Sequence, residues 1–232
     1  MPQMHSTNTA LLQFLTVFCA LQLSLAFNFT PVSTNNFKVA SPNSVRMQAS
    51  SGDRAEIGKT KVIFVCLGNI CRSPTAEAVF DKKVQDAGRQ DQFFIESCGT
   101  GGGSADWYMQ SGFSYHEGES PDRRMTAAAS NRGITLCGAS RPLTPEDLDI
   151  FDYIIAMDGS NKQAITEAAS YWGKSAQAAQ KTKMMTSYCK KFDMKSVPDP
   201  YYGGAQGFET VLDILEDACT GLLESIPEPS TA

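Results

Sequence analysis

Apolar and polar positions form blocks along most of the chain, and the blocks predict strands separated by helices. The run Lys61–Cys66 is β-branched and aromatic without polar alternation, as in a strand buried on both faces of a parallel sheet. Three later runs predict further strands, at Phe93–Cys98, Phe151–Met157 and Lys183–Tyr188.

Segments with apolar residues at helical spacing lie between and after these runs. The first has Pro74 in its first turn and ends near Gly88. Further helices are predicted from Ser120 to Asn131, from Thr144 as a short helix, from Ser160 to Trp172 and from Phe208 to Leu223. The alanine-rich stretch Lys174–Gln180 has no clear apolar face and is predicted to be a loop. Strands that alternate with helices predict an α/β fold with a parallel sheet.

The composition supports one good-sized domain, because 42% of the 232 residues are hydrophobic. Charge is unevenly placed: Asp53 is the first acidic residue, and only Lys38 and Arg46 are basic before it. From Asp53 onward, 25 acidic residues are set against 18 basic ones. Since nucleic acid binds basic surfaces, this acidic body argues against nucleic acid as a partner.

Residues 1–52 are predicted to be a cleavable, disordered targeting leader, and residues 53–232 to be the folded domain. In the signal-like part, residues 1–26, an apolar run ends in Ser24-Leu25-Ala26, where a cleavage site is expected. The transit-like part, residues 27–52, is rich in Ser and Asn and free of acids. This order resembles the two-part plastid leaders of algae with secondary plastids, so we expect plastid import. Secretion, endomembrane retention or an uncleaved anchor are the alternatives.

Cysteine and histidine usage argues against both a disulfide framework and a metal site. Six cysteines fall in the body without a pairing pattern, which suits a reducing interior. Cys66 and Cys71 have four residues between them in a chain with only two histidines and no second cysteine pair, so a tetrahedral ligand set is missing. We predict no metal and no cofactor.

The segment Cys66–Ser73 joins the first predicted strand to the first helix, at the strand end where parallel sheets bind ligands. A helix N-terminus binds oxyanions and favours a thiolate, so Cys66 is the predicted nucleophile and Arg72 the clamp for phosphate oxygens. The pattern indicates phosphoryl transfer to cysteine. The predicted phosphate-binding residues between and beside these two are Leu67, Gly68, Asn69, Ile70, Cys71 and Ser73.

Individual side chains of this loop have predicted roles of their own. Gly68 and Asn69 permit the positive φ that turns amide groups inward. Ser73 is predicted to donate its hydroxyl to the thiolate, to cap the following helix, or to do both. Cys71 either packs or forms a reversible disulfide with Cys66 that protects the nucleophile from over-oxidation.

A general acid is needed to protonate the leaving group, and the best candidate is Asp199 in Val197-Pro198-Asp199-Pro200. The flanking prolines stiffen this loop. Tyr201 and Tyr202 follow at once and are predicted to line a slot for an aromatic ring. On this motif alone, an ordinary Asp-Pro turn is the favoured interpretation.

Together these motifs resemble the low-molecular-weight protein tyrosine phosphatases, over about Lys61 to Ile226. The resemblance rests on Val65–Pro74, on Asp199–Tyr202 and on Phe151–Asp158, and the tail is similar to the plant and algal branch. It implies a single four-stranded parallel sheet with helices on both faces and a phosphate-binding loop after strand one. It also implies Cys66 as nucleophile, Arg72 as clamp, Asp199 as general acid and then base, and Ser97 as a partner of Asn69.

The resemblance implies phosphotyrosine-containing proteins as substrates. We also predict that the mature form does not associate with a membrane, and we favour a monomer. The chain departs from the family at Gly101–Ser114, which we interpret as an insertion. By position Tyr115 is the aromatic residue expected to wall the active site and bind substrate, and Trp107 of the insertion is the alternative.

Three other functions are considered. Arsenate reductases share the loop but resolve the modified cysteine with cysteines after the third strand, where this chain has Asp158-Gly159-Ser160. Phosphoarginine phosphatases resemble the loop but carry threonine where this chain has Ile70, which suits an aryl phosphate better. A redox-sensing, phosphate-binding scaffold would be expected to have lost Arg72 or Asp199, and both are present.

Overall fold

The computed structural model describes residues 58–202 and 204–228, and for Tyr202 the backbone. The predicted targeting leader, residues 1–52, lies outside the described residues and stays a prediction.

Four parallel strands form one sheet in the order β2-β1-β3-β4. Their bounds are Thr60–Cys66 for β1, Phe93–Gly99 for β2, Tyr153–Ala156 for β3 and Thr182–Met184 for β4. In register, Cys66 lies beside Gly99, and its neighbour Val65 lies beside Ala156. The carboxyl ends of the three longest strands therefore meet at one edge, with Cys66 in the middle.

Helices connect the strands. They are α1 at Arg72–Asp86, α2 at Arg123–Asn131, α3 at Pro145–Ile150, α4 at Gly159–Tyr171, α5 at Ser175–Lys181 and α6 at Gly204–Ser225. Short 3-10 turns lie at Gln90–Gln92, Gly101–Gly103, Met185–Tyr188 and Pro200–Tyr202. Within residues 58–202 and 204–228, no helix is both long and apolar enough to cross a membrane.

Both faces of the sheet are buried, which explains why the first strand shows no polar alternation. Val62 and Phe64 of β1 pack with α1, α2 and α6, and Phe64 meets Phe80 of α1 edge to face at 5.7 Å. Ile63 and Val65 point the other way and pack with α3, α4 and α5. The predicted α/β fold with helices on both faces is confirmed.

The prediction of a loop at Lys174–Gln180 is wrong, because Ser175–Lys181 forms helix α5. Its sequence shows no apolar face because only Ala178 is buried, and one small residue gives no periodic signal. The Lys181 Nζ donates to the carbonyl oxygens of Leu148 and Asp149 at 2.8 and 2.9 Å, so tertiary contacts hold the helix.

Several predicted boundaries also change, among them those of the fourth strand and of helix α2. The fourth strand ends at Met184, because Met185–Tyr188 turns into a 3-10 helix instead of continuing the ladder. Helix α2 begins at Arg123 rather than near Ser120, since the Asp122 carboxylate caps it by accepting from the amides of Arg124 and Met125.

Candidate active site

The loop between β1 and α1 wraps around the sulfur of Cys66. The backbone amide of Asn69 donates to Cys66 Sγ at 3.2 Å, and the Ser73 hydroxyl donates to it at 3.0 Å. Cys66 is only 3% exposed. Two hydrogen-bond donors are thus aimed at one sulfur, close to the N-terminal end of α1.

Asn69 fixes the shape of the loop. It is the one non-glycine residue with positive φ, 54°, in the described part of the chain. Its side-chain Nδ2 donates to Ser73 Oγ at 3.0 Å and to Ser97 Oγ at 2.8 Å. Its side-chain Oδ1 accepts from the Arg141 backbone amide at 2.9 Å. The predicted partnership of Asn69 with Ser97 is therefore present.

Gly68 does not share the positive φ that was predicted for it. Its missing Cβ leaves room for His116 instead, because a Cβ there would lie 2.7 Å from Cδ2 of His116 and that ring would have to move. Ser73 likewise does not cap the helix. Cys71 occupies the N-cap position without a side-chain hydrogen bond, and the first turn of α1 contains no acidic residue. The N-terminal end of α1 thus keeps its preference for an anion.

The guanidinium of Arg72 is buried at this helix end, with 5% of its side chain exposed. Nη1 donates to Asp158 Oδ2 at 2.6 Å and to the Val197 carbonyl oxygen at 3.2 Å, and Nη2 donates to Asp199 Oδ2 at 3.2 Å. Burial works against the charged form, but Cys66, Asp158 and Asp199 outweigh it and raise the pKa of Arg72. Arg72 is therefore a permanent cation beside the nucleophile.

Sequence reasoning missed Asp158. It lies two residues after β3, at the same sheet edge as Cys66, and its Oδ1 caps α4 by accepting from the Asn161 amide at 2.7 Å. One carboxylate thus ties the start of α4 to the guanidinium of Arg72. The available signal was its position: an acidic residue at the carboxyl end of the strand next to the nucleophile.

The loop that carries Asp199 comes from far along the chain. Val197 is buried and its amide donates to the Met157 carbonyl oxygen at 2.9 Å, which anchors the loop beside β3. The Asp199 side chain is 40% exposed, and its Oδ1 accepts from the Tyr201 amide at 3.0 Å. The structure therefore brings the predicted acid into contact with Arg72 while leaving it open to solvent.

Asp122 and Arg124 link this acid loop to the loop of Cys66. The Asp122 amide donates to the Ile70 carbonyl oxygen at 2.7 Å, and the Asp122 carboxylate holds Arg124 at 2.8 Å. Arg124 Nη1 in turn donates to the Tyr201 carbonyl oxygen at 3.3 Å, with the guanidinium 5.0 Å from the Tyr201 ring centre. Neither residue was singled out for the site from the sequence.

A cavity of about 210 Å³ opens over Cys66. Six of its lining residues come from the loop and four from elsewhere; they are Cys66, Leu67, Gly68, Ile70, Cys71, Arg72, Gly102, His116, Asp199 and Tyr201. Gly102 and His116 were not predicted. Asn69 and Ser73 do not line the cavity, but both donate hydrogen bonds to the Cys66 sulfur. The side chain of Tyr202 lies outside what the structure describes, so its role stays a prediction.

The aromatic wall differs from the expectation. Trp107 is 7% exposed and packs against Trp172, the residue after α4, with ring centres 5.8 Å apart. It lies within the core beneath α3, α4 and α5, so it does not cover the site. The residue that lines the cavity is His116, whereas Tyr115 is 60% exposed and its ring contacts Phe113. A substrate contact by Tyr115 stays a prediction.

Cys71 is buried in the wall of the cavity. Burial, together with the negative charges of Asp122, Cys66 and Asp199, raises the pKa of Cys71 to about 12. Its thiol therefore stays protonated at neutral pH, which makes Cys71 a poor nucleophile. All six described cysteines are free.

A larger cavity, of about 450 Å³, lies between α1 and the outer edge of β2. It contains no cysteine and arginine in the arrangement found around Cys66, so we place the chemistry at the smaller one. Among residues 58–202 and 204–228, no group of three or more His, Cys, Asp or Glu side chains could hold a metal ion.

Comparison with known proteins bears on this geometry. Residues 61–231 match the sequence model of the low molecular weight phosphotyrosine protein phosphatases. The chain belongs to this family. A Synechocystis protein named as a low molecular weight protein-tyrosine-phosphatase is 45% identical over 166 residues, which cover 72% of this chain and 96% of that protein.

Solved structures agree with the family. A protein tyrosine phosphatase from Entamoeba histolytica is 40% identical with a TM-score of 0.63, covering 72% of this chain and 96% of its own. A Drosophila arginine phosphatase is 27% identical with a TM-score of 0.61, covering 74% and 100%. The fold and the cysteine-based hydrolase chemistry of the family therefore apply to this chain. The plant and algal branch stays a prediction.

Proposed function

We propose that the protein hydrolyses phosphotyrosine in proteins, and small aryl phosphates, through a phosphocysteine on Cys66. The observation that carries the proposal is the grouping at one helix N-terminus. There the Cys66 sulfur accepts hydrogen bonds from Asn69 and Ser73, and the buried Arg72 reaches the carboxyl group of Asp199. Nucleophile, clamp and acid thus face one cavity.

In the first half-reaction, the Cys66 thiolate attacks phosphorus and the bond from phosphorus to the aryl oxygen breaks. Arg72 exchanges its contact with Asp199 for two phosphate oxygens, which its planar fork matches. Protonated Asp199 gives its proton to the leaving aryl oxygen, which departs as a neutral phenol. The amide end of α1 stabilises the charge on the phosphate oxygens.

In the second half-reaction, water attacks the phosphocysteine and gives a proton to the Asp199 carboxylate. The sulfur–phosphorus bond breaks and the electron pair returns to Cys66. The donors Asn69 N and Ser73 Oγ stabilise the thiolate as it leaves, and inorganic phosphate is released. One turnover therefore restores the Cys66 thiolate and protonated Asp199: the proton that left with the phenol is replaced by one from water, and the rest of the water molecule leaves on the phosphate.

The lining of the cavity favours phosphotyrosine over phosphoarginine as the substrate. The apolar side chain of Ile70 and the ring of Tyr201 line the cavity, and an aromatic substrate ring packs well between such surfaces. Arsenate reduction needs a further thiol near the third strand, and that place is occupied by Asp158, which holds Arg72.

Rates of the full chain with a phosphotyrosine peptide, a phosphoarginine peptide and an aryl phosphate test the proposal. We expect turnover of the first and third, its loss in Cys66→Ser, and slow residual turnover in Asp199→Ala. Ile70→Thr serves as a specificity variant and should lower the preference for the aryl substrates. Preference of the wild-type enzyme for phosphoarginine, or activity in Cys66→Ser, would contradict the proposal.

We further propose plastid import directed by residues 1–52, with release of a phosphatase domain, residues 53–232, that is monomeric and free of membranes. The support is the apolar run before Phe27 and the acid-free segment after it. Fusion of residues 1–52 to a fluorescent protein, expressed in an alga with secondary plastids, tests this. Fluorescence in the plastid is expected, and fluorescence confined to the endomembranes or the medium would refute it.

A further inference from the structure

The segment of residues 101–114 is held firmly at the side of the active site. Trp107 inserts its ring into the core, and the Trp172 indole nitrogen donates to the Tyr108 carbonyl oxygen at 2.9 Å. A Cβ at Gly112 would overlap the carbonyl oxygen of Asp106, so the turn there closes tightly. These contacts give the segment a defined shape that can present side chains to a partner.

The segment joins the phosphate cavity directly. Gly102 lines that cavity and its amide donates to the Leu67 carbonyl oxygen at 2.9 Å. The Tyr115 amide donates to the Gly101 carbonyl oxygen at 3.2 Å, which places Tyr115 next to the cavity rim. The Phe113 and Tyr115 rings meet edge to face, with centres 4.8 Å apart.

Large apolar side chains are exposed mainly around the phosphate cavity and along the stretch of chain next to it. Of the seven that are exposed in the described residues, Leu67 and Tyr201 lie at the cavity and three belong to the neighbouring stretch; these three are Met109, Phe113 and Tyr115. Residues 107–115 contain no charged side chain, although the body of the protein is acidic. Concentration of exposed apolar surface beside a binding cavity marks an interaction site.

We propose that Phe113 and Tyr115 form an apolar platform that binds an apolar side chain flanking the phosphotyrosine of a protein substrate. The inference rests on the proposed function and adds the substrate class: phosphotyrosine next to apolar rather than charged residues. Continuity with the cavity argues for this occupant, because Tyr115 lies beside Gly102, which lines the cavity that opens over Cys66. The absence of charge across the platform favours an apolar flank.

The test compares two phosphotyrosine peptides that differ only in whether leucine or serine flanks the phosphotyrosine, with an aryl phosphate as reference. Each peptide kcat/KM is divided by the aryl phosphate value of the same protein. The full chain is compared with Phe113→Ala and with Tyr171→Ala. The last is a matched control, since Tyr171 is 55% exposed against 53% for Phe113 and lies at the end of α4.

For the wild-type protein we expect the leucine peptide to be preferred by about three- to tenfold, the size of one aromatic contact. Phe113→Ala should remove most of this preference and Tyr171→Ala should keep it. Equal rates for the two peptides in the wild type, with both turned over, would overturn the platform and leave the proposed function standing. Turnover of the aryl phosphate but of neither peptide would overturn both. A change in oligomeric state in Phe113→Ala without a change in preference would assign the surface to a second copy of the chain, and would also overturn it.

Discussion

Asp158→Asn tests whether the carboxylate after β3 is what holds the phosphate clamp. In the wild type, one oxygen of Asp158 accepts from Arg72 at 2.6 Å and the other caps α4 through the Asn161 amide. Asparagine caps helices about as well as aspartate, so the substitution leaves the helix start in place and removes the charge that faces Arg72. The variant therefore isolates the ion pair.

The structure sets the size of the effect. A hydrogen bond to a charged group contributes about 1.5–3 kcal/mol, and Arg72 is too buried for water to replace the lost partner fully. We expect the free energy of unfolding to fall by about 1–2 kcal/mol, since the Val197 carbonyl and Asp199 still accept from Arg72. With the guanidinium less well placed for phosphate, kcat/KM should fall by about ten- to hundredfold.

Urea unfolding and steady-state kinetics with an aryl phosphate measure the two effects. Asp149→Asn is the matched control, because Asp149 is paired with Lys174 at the surface and is 51% exposed. Its loss should cost less than about 0.5 kcal/mol and leave kcat/KM unchanged. If Asp158→Asn were as active as the wild type while losing stability, Asp158 would be a structural residue only, and the reasoning would be refuted.

Three further substitutions test other parts of the structure. Two change the loops around Cys66 and Asp199, and the third changes Glu77, which lines the larger cavity between α1 and β2. Gly99→Ala would put a Cβ 2.9 Å from the Leu67 carbonyl oxygen and 3.1 Å from the Asn69 amide. We expect kcat/KM to fall at least about tenfold and the melting temperature to drop. Wild-type kinetics in this variant would count against this packing. Arg124→Ala removes the contacts with Tyr201 and should lower kcat by about three- to tenfold while KM for an aryl phosphate changes little; an unchanged kcat would mean that the acid loop keeps its place without Arg124. Burial raises the pKa of Glu77, and repulsion by Glu96 adds to this, whereas a hydrogen bond from Ser97 lowers it; the net shift is upward. The folded state therefore holds this proton more tightly than the unfolded state does. Folding stability is lost as the pH rises and the proton is released. Glu77→Gln should therefore raise the melting temperature at neutral pH and have little effect below pH 4.5, where the carboxyl group is mostly protonated in both states; an effect of the same size at both pH values would contradict the assignment.

The main strands and the catalytic motif could be predicted because their signals are local. A continuous β-branched run followed by Cys66, a tight turn and Pro74 predicts strand, loop and helix from neighbouring residues alone. Helix α5 could not be predicted, since its single buried residue, Ala178, leaves no periodic pattern. Its stability comes from contacts of Lys181 with residues more than 30 positions away in sequence.

The partners of the catalytic residues were harder to predict for the same reason. Asp158 and Arg124 reach the site through tertiary contacts, at sequence separations of 86 and 77 from Arg72 and Tyr201. The place of Trp107 depended on whether the core had room for an indole ring, which one sequence does not reveal. Space also explains Gly68: its missing Cβ leaves room for His116, and its φ is not positive.

The central claim is that Cys66 carries the phosphoryl group during turnover, and trapping that intermediate tests it most directly. The full chain is mixed with a phosphotyrosine peptide, quenched within a single turnover and digested, and the phosphorylated fragment is located by mass spectrometry. We predict one phosphoryl group on Cys66, and none in Cys66→Ser. Phosphate on another residue, or release of phosphate by Cys66→Ser at the wild-type rate, would contradict the account.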